Sequence, residues 1–278
     1  MTEGLVLVTG GIGKTGRRIN AALSELQIPH RAAARQVSGP DTVVFDWTKP
    51  GTWDRALEGV HGIYLVAPTG VGDPAPLMTK FVEAATARGT RRFVLLSASL
   101  LKVGDPAMGQ VHQWLEHSDA EWAVLRPSWF MENFTEGPHA ETIRSERKIY
   151  SATRTGRVPF ISADDIAAAA VAALTMADAP NTDFVLTGSE TLSYDDVATT
   201  VGTLLGSPVE HRALSYEELV SLHVANGLAE SHAQTLAFMD LAIADGVEDR
   251  TTQDISALTG RPAIRFADFA SANLAAWR

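Results

Sequence analysis

The chain has 278 residues, 45% hydrophobic and 20% charged, proportions that suit a globular protein able to bury a substantial core. A formal charge of -10 argues against a nucleic acid or an anionic membrane as a general partner, because tracking phosphates needs concentrated Lys and Arg. There is no cysteine, which excludes disulfides, thiolate nucleophiles, iron-sulfur clusters and Cys-type zinc sites.

The opening Met1-Thr2-Glu3-Gly4 carries neither a basic leader nor a cleavage pattern, and no apolar run reaches spanning length, so a cytoplasmic location is expected. Short, nearly all-apolar runs then alternate with helical patterns. Strands are predicted at Leu5 to Thr9, His30 to Ala34, Thr42 to Phe45, Gly62 to Ala67, Arg92 to Ser97 and Trp122 to Leu125. Helices are predicted between them at 14 to 26, 51 to 58, 75 to 88 and 107 to 117. This rhythm indicates parallel β-α units, and strands apolar on both faces suit a sheet covered on both sides.

After Arg126 the rhythm breaks at Pro127, Pro138 and Pro159. Helices are predicted at 163 to 176, 194 to 205, 216 to 225 and 229 to 245, with one more strand at Asp183 to Leu186. The expected fold class is α/β, a doubly wound parallel sheet of the Rossmann kind with a smaller, mostly helical C-terminal substrate-binding cap. Residues 1-127 and the strand near 183-186 form the dinucleotide-binding core, and 128-150 and 190-278 form the cap. Phe238, Met239 and Leu241 have the helical spacing of core residues, with pocket lining as the alternative. Ser151 to Gly156 reads as an exposed loop.

Val6-Leu-Val-Thr9-Gly10-Gly11-Ile12-Gly13-Lys14-Thr15-Gly16 runs from a strand through spaced glycines into a helix. Gly10 permits the tight turn, Gly13 lets a pyrophosphate approach the backbone, and Gly16 lets the helix pack closely. The free amides and dipole of the helix N-terminus then stabilise phosphate charge. About twenty residues past the last glycine, where an NAD-binding protein places an acid for the ribose hydroxyl, this chain has Arg35. A guanidinium there binds a 2'-phosphate, and Lys14 adds a second positive charge, so NADPH is the expected cofactor, with NADH as the alternative. Asp46 and Trp47 end the third strand, where adenine would lie; Asp46 either meets adenine or caps the following turn.

The glycine turn, together with Leu125-Arg126-Pro127-Ser128-Trp129-Phe130-Met131-Glu132-Asn133, resembles the NmrA-like atypical short-chain dehydrogenase/reductases, most closely the branch containing the festuclavine dehydrogenases. Val111-His112-Gln113-Trp114-Leu115, Val158 to Ala167 and Leu258-Thr259-Gly260-Arg261-Pro262 extend the resemblance over nearly the whole chain. It implies a pyridine-nucleotide fold and reduction of a carbonyl, quinone or iminium, with cofactor sensing in a few members. It also implies that Ala67, Pro68, Ser97 and Pro127 to Trp129 flank the nicotinamide. Trp129, Phe130, Met131 and Asn133 would then begin an apolar substrate pocket with one polar handle.

The Tyr-x-x-x-Lys pair of ordinary short-chain dehydrogenases is missing: Tyr64, Tyr150, Tyr194 and Tyr216 are the only tyrosines, and none has lysine four residues on. Catalysis would rest on hydride proximity and orientation, with Ser97, Ser99 and His112 as the remaining polar candidates. Each has a plainer reading, backbone hydrogen bonding for the serines and a structural helical histidine for His112. No histidine spacing suggests a metal site. No Gly-x-Ser-x-Gly elbow occurs, and Gly13-Lys14-Thr15 lacks the upstream glycine of a P-loop. The expected function is an NADPH-dependent ketoreductase acting on a bulky small molecule, with natural-product tailoring implied by the resemblance. Iminium or quinone reduction and a non-catalytic NADP(H)-sensing regulator are the alternatives.

Overall fold

Strands apolar on both faces need helices on either side, and these alternate with them along the first part of the chain. The computed structural model describes residues 4–37 and 39–278, so the Met1-Thr2-Glu3 of the expected leaderless start lies outside the described residues. In chain order come β1 Leu5–Val8, α1 Gly16–Glu25, β2 His30–Ala34, β3 Thr42–Val44, α2 Trp53–Leu57, β4 Val60–Leu65 and α3 Ala75–Thr86. Next are β5 Arg92–Leu96, α4 Met108–Glu116, β6 Glu121–Pro127, α5 Pro138–Glu146, β7 Lys148–Ser151, α6 Ala163–Thr175 and β8 Thr182–Leu186. The remainder is α7 Tyr194–Leu205, β9 Glu210–Ala213, α8 Tyr216–Ala225, α9 Glu230–Ala244, α10 Asp254–Thr259 and α11 Phe266–Ala272. Among the described residues, no helix is long and apolar enough to cross a membrane.

The chain divides into two units. The first holds residues up to Pro127, with Ala163–Leu186 and Asp254–Arg261. Its seven strands are all parallel, in the order β3-β2-β1-β4-β5-β6-β8, the doubly wound Rossmann arrangement with its switch point between β1 and β4. Leu7, Ile63, Leu65, Phe93, Leu95 and Val124 join Met78, Phe81, Val111 and Leu115 of α3 and α4 in one core. Strand alternation turns Val8, Tyr64, Val94 and Leu125 to the opposite face, and all four are buried. Phe81 meets Phe45, Trp47 and Trp53 edge-on at centroid distances of 5.1, 5.0 and 5.3 Å, a geometry that adds to the burial of each ring.

Two polar ties bring Asp254–Arg261 into this unit, although the sequence reading assigned the whole of 190-278 to the cap. Arg261 pairs with Asp165 at the start of α6, and Asp254 accepts a 2.7 Å hydrogen bond from the Val185 amide of the outermost strand, β8. A carboxylate there satisfies an edge amide that would otherwise invite strand pairing.

The second unit comprises Ser128–Ser162, Thr187–Gln253 and Pro262–Arg278. Its core gathers Met131, Phe134, Ile143, Phe160, Tyr194, Phe266, Phe269 and Trp277, with the Trp277 indole donating to the Phe134 carbonyl at 2.6 Å. It also contains a small parallel sheet of β7 and β9 that hydrophobic periodicity did not predict. The expected exposed loop at Ser151 to Gly156 needs correction, because Ser151, Ala152 and Thr153 are buried. Their polar groups are satisfied inside: Ser151 Oγ bonds Thr153 Oγ1 at 2.7 Å and His211 Nε2 at 2.8 Å, and the Ala152 amide donates to Asp240 at 2.9 Å. In α9 the buried positions are Ala233, Ala237, Asp240 and Ile243, whereas Phe238 is 67% exposed, so the core reading of Phe238 is corrected too. Large apolar residues are spread around this helix, and its inward stripe mixes two alanines with Asp240 and Ile243.

Candidate functional site

Gly10 has φ +61, which turns the chain sharply out of β1. A Cβ on Gly16 would stand 2.2 Å from the Gly10 carbonyl oxygen, so only glycine lets α1 start this close to the turn. Gly11 donates to the Ala33 carbonyl at 3.1 Å and Gly13 to the Gly10 carbonyl at 2.8 Å, which fixes the loop against β2 and against itself. The amides of Ile12 and Thr15 donate to no acceptor among the described residues. The first turn of α1 contains no acid, so the positive end of its dipole is left for an anion from outside. Ile12 projects into solvent and Lys14 is half-buried. A glycine turn with open amides at Ile12 and Thr15, leading into a helix without an acid in its own first turn, fits a dinucleotide pyrophosphate.

Three side chains that sequence reasoning passed over brace this turn. Thr9 Oγ1 donates to the Tyr64 carbonyl at 2.8 Å and accepts from the Val66 amide at 2.9 Å, locking the end of β1 to β4. Asn20 Nδ2 holds the Gly11 carbonyl at 2.9 Å. The Tyr64 hydroxyl donates to Thr15 Oγ1 at 3.1 Å. Tyr64 was legible in principle, because a phenol within an apolar strand must find a partner once buried.

Arg35 follows the last residue of β2 and lies two positions past Ala33, whose carbonyl holds the turn. It is exposed and makes no hydrogen bond or ion pair among the described residues, so its guanidinium is available. Asp46 caps the turn after β3: its carboxylate accepts from the Thr48 amide at 3.0 Å and the Thr48 hydroxyl at 2.8 Å. These bonds hold its carboxyl below the usual carboxylate range. Trp47 is half-buried and packs edge-on to Phe45 and Phe81.

Ala67 and Pro68 stand half-buried beyond the end of β4. Ser97 follows β5, is half-buried, and its amide donates to the Leu125 carbonyl at 2.7 Å. Ser99 is buried; its amide donates to the Pro127 carbonyl at 2.9 Å and its carbonyl accepts from Arg126 at 3.0 Å. Ala67, Pro68, Ser97 and Pro127 therefore share the carboxyl-end side of the sheet, where open parallel sheets bind ligands. His112 does not join them at an open surface. It is 2% exposed, its ring 5.4 Å from that of Trp122, and burial pulls its pKa down, which keeps the imidazole neutral.

In the second unit, Ser128 is buried and its hydroxyl has no hydrogen-bond partner among the described residues. Trp129 and Phe130 are half-buried, Asn133 likewise, and Met131 is 1% exposed within the core. The segment is pinned by two 2.9 Å backbone bonds, Met131 amide to Ile161 carbonyl and Ile161 amide to Trp129 carbonyl. The same unit contains a group of titratable side chains that the sequence did not single out. His139 stacks on Phe134 with centroids 5.1 Å apart, and Tyr194 lies 5.7 Å from His139 and 5.6 Å from His211. Burial pushes the Asp240 carboxyl up to about 6 and the His139 imidazole down to about 4, in each case by disfavouring the charged form.

A sequence profile for NAD(P)H-binding proteins matches residues 10–177. The chain is 39% identical to festuclavine synthase II of Penicillium roqueforti, over 98% of this chain and 99% of that protein. It is 40% identical to agroclavine dehydrogenase of Claviceps fusiformis, over 98% of each. Among solved structures, an NADPH-dependent quinone oxidoreductase from Escherichia coli complexed with NADPH superposes with a TM-score of 0.83 at 22% identity, covering 96% of this chain and 99% of that one, a likeness of fold.

Proposed function

We propose that this chain, which belongs to the NAD(P)H-binding family and is an NAD(P)H-dependent reductase of the atypical short-chain dehydrogenase/reductase group, acts on a ketone-type carbonyl of a bulky, largely apolar small molecule. The observation that carries the coenzyme half is the braced glycine turn, with open amides at Ile12 and Thr15 and an acid-free helix start. In this reading Gly10, Gly11, Ile12, Gly13, Thr15 and Gly16 cradle the pyrophosphate, and Arg35 with Lys14 receives the 2'-phosphate. Asp46 and Trp47 serve the adenine end, and Ala67, Pro68, Ser97, Pro127 and Ser128 the nicotinamide end. Trp129, Phe130, Met131 and Asn133 serve the substrate.

When bound, the reduced nicotinamide supplies the hydride. The residues of the chain contribute orientation and exclusion of water, which together can lower a barrier substantially without an acid. The sequence has no Tyr-x-x-x-Lys pair and His112 is buried, so the proton of a carbonyl reduction comes from water or from the substrate. The same two observations favour a second reading, an iminium acceptor, which already carries its positive charge and needs no acid. The relatives' names support the natural-product setting.

Following NADPH absorbance against polycyclic ketones, cyclic iminiums and quinones tests these readings. Turnover with the ketones is expected. Turnover confined to iminiums or quinones replaces the acceptor. Equal binding of NADPH and NADP without turnover, together with capture of a protein partner, returns the function to dinucleotide sensing.

A further inference from the structure

We infer that the second unit holds a binding site for a protonated amine, with Asp240 accepting the ammonium N–H and the Tyr194 hydroxyl as the second polar contact. Assigning that amine to the substrate rests on the reductase reading and deepens it, adding one positive charge to an otherwise apolar body; the site itself needs only the second unit. Asp240 lies on α9 in the inward stripe with Ala233, Ala237 and Ile243, and is 9% exposed. Its Oδ2 accepts from the Ala152 amide, while Oδ1 makes no hydrogen bond or ion pair among the described residues. The Ala152 bond needs only an acceptor, which asparagine also supplies. The negative charge is therefore surplus to the fold, and burial makes it costly unless it is matched. A carboxyl with a pKa raised to about 6 is still ionised at neutral pH, so Asp240 carries that charge where the surroundings disfavour it.

Tyr194 opens α7 and is 3% exposed, yet its hydroxyl bonds nothing among the described residues. Its ring is held by Phe160 at 5.5 Å, His211 at 5.6 Å, and Phe134 and His139 at 5.7 Å, centroid to centroid. Burial, reinforced by the nearby Asp240 charge, keeps the phenol protonated. Neither the Asp240 Oδ1 nor the Tyr194 hydroxyl is fully enclosed, so each meets space that a ligand can reach. The His139 imidazole, its pKa lowered to about 4, is uncharged at neutral pH and supplies no counter-charge. An anion would be repelled by Asp240, and a neutral ligand would leave its charge unmatched. A protonated amine matches the charge, can donate to both oxygens, and meets aromatic rings that favour a cation. Phe134 directly follows the Trp129 to Asn133 segment assigned to the substrate, and Met131, Phe134 and Tyr194 share one core.

The probe is tetrahydroisoquinoline, a secondary amine protonated at neutral pH, set against isochroman, in which oxygen replaces the nitrogen of the same bicycle. Calorimetric titration of the coenzyme-free protein gives the affinities, and the nuclear magnetic resonance signal of the Ala152 amide, bonded to Asp240, gives the location. The amine is expected to shift that signal and to bind at least about tenfold more tightly than isochroman, the worth of a charge-assisted hydrogen bond. Asp240→Asn keeps the acceptor for Ala152 and is expected to lower amine affinity by more than about tenfold, leaving isochroman unchanged; Tyr194→Phe is expected to lower it about threefold. Glu217→Gln removes an exposed acid of α8 and is expected to alter neither ligand's binding. Equal affinity for the two probes would overturn the inference, as would amine binding that survives Asp240→Asn or leaves the Ala152 signal unmoved. An equal loss in Glu217→Gln would overturn it too, by tracing the attraction to the chain's net charge of -10. All these results leave the reductase reading standing. Absence of turnover on every acceptor, with amine binding intact, would instead remove the reductase reading and keep the amine site.

Discussion

Arg261 Nη1 lies 2.6 Å from Oδ1 of Asp165, a carboxylate in the first turn of α6 that is 0% exposed. The two residues stand 96 apart in sequence and belong to two of the segments on which the family resemblance rests. Their chemistry explains why a helix start and a loop near the end of the chain go together. Breaking a buried pair from one side leaves the other charge in a medium that cannot solvate it, at a cost of about 3–5 kcal/mol. Arg261 is itself partly exposed, so Arg261→Ala is expected to fall at or below the low end, about 2–3 kcal/mol. Urea or thermal unfolding measures it directly, and a change under about 0.5 kcal/mol would mark the pair as incidental.

Arg35→Asp tests the 2'-phosphate assignment. Reversing the charge replaces an attraction with a repulsion for NADPH, while NADH meets a carboxylate of the kind that binds a ribose hydroxyl. NADPH affinity is expected to fall by more than about tenfold, with NADH changing by less than about threefold. Titration with both nucleotides reads this, and equal losses would remove Arg35 from the site.

Ser97→Ala and His112→Ala are each expected to leave measurable turnover on whichever acceptor the substrate panel identifies. The Ser97 backbone rather than its hydroxyl makes the bond to Leu125, and His112 is enclosed against Trp122. For His112→Ala the expected loss is chiefly of stability, about 1–3 kcal/mol for emptying a buried ring site. A folded, coenzyme-binding variant of either kind with no activity would instead identify a proton donor.

Asp240 and His139 in the second unit predict two opposed pH dependences. Asp240 releases its proton near 3.8 when unfolded and near 6 when buried. Between those values the unfolded chain binds fewer protons, so this group lowers stability as pH rises, and the deficit persists above pH 6. Asp240→Asn can still accept from the Ala152 amide and is expected to gain on the order of 1–2 kcal/mol at pH 7, an advantage that shrinks toward pH 4. His139 has the reverse sign. Its unfolded ring takes up a proton near 6.5 and its folded ring only near 4, so stability is lost as pH falls through that interval. His139→Phe should flatten this loss in melting curves taken across the same range. A parallel offset at every pH in either variant would show packing changes alone.

The first unit was largely legible because its strands are continuous apolar runs and its glycine turn has a mechanical reason for each residue. Elements with other signals were harder to read. Pro138 reads as a chain breaker, yet it opens α5 at the one helical position where a missing amide costs nothing. β9 is Glu-His-Arg-Ala, four residues without apolar alternation, held by pairing with β7 and by His211 meeting Ser151. α7 and α8 were well bounded because capping serines precede them. In the site, the glycines and Arg35 follow from spacing. The braces Thr9, Asn20 and Tyr64 depend on which strand lies beside which turn, and no periodicity carries that information.

Asp254 and Arg261 follow their partners Val185 and Asp165 by 69 and 96 residues, so synthesis must run well past β8 and α6 before the strand gains its side-chain acceptor and the helix its counter-cation. Until then the Rossmann sheet has a bare outer margin. A chain cut after Gln253 would retain every strand of that sheet but lose the carboxylate at its border, the cation beside Asp165 and the Phe266, Phe269 and Trp277 side chains of the second core, so such a fragment would be prone to association.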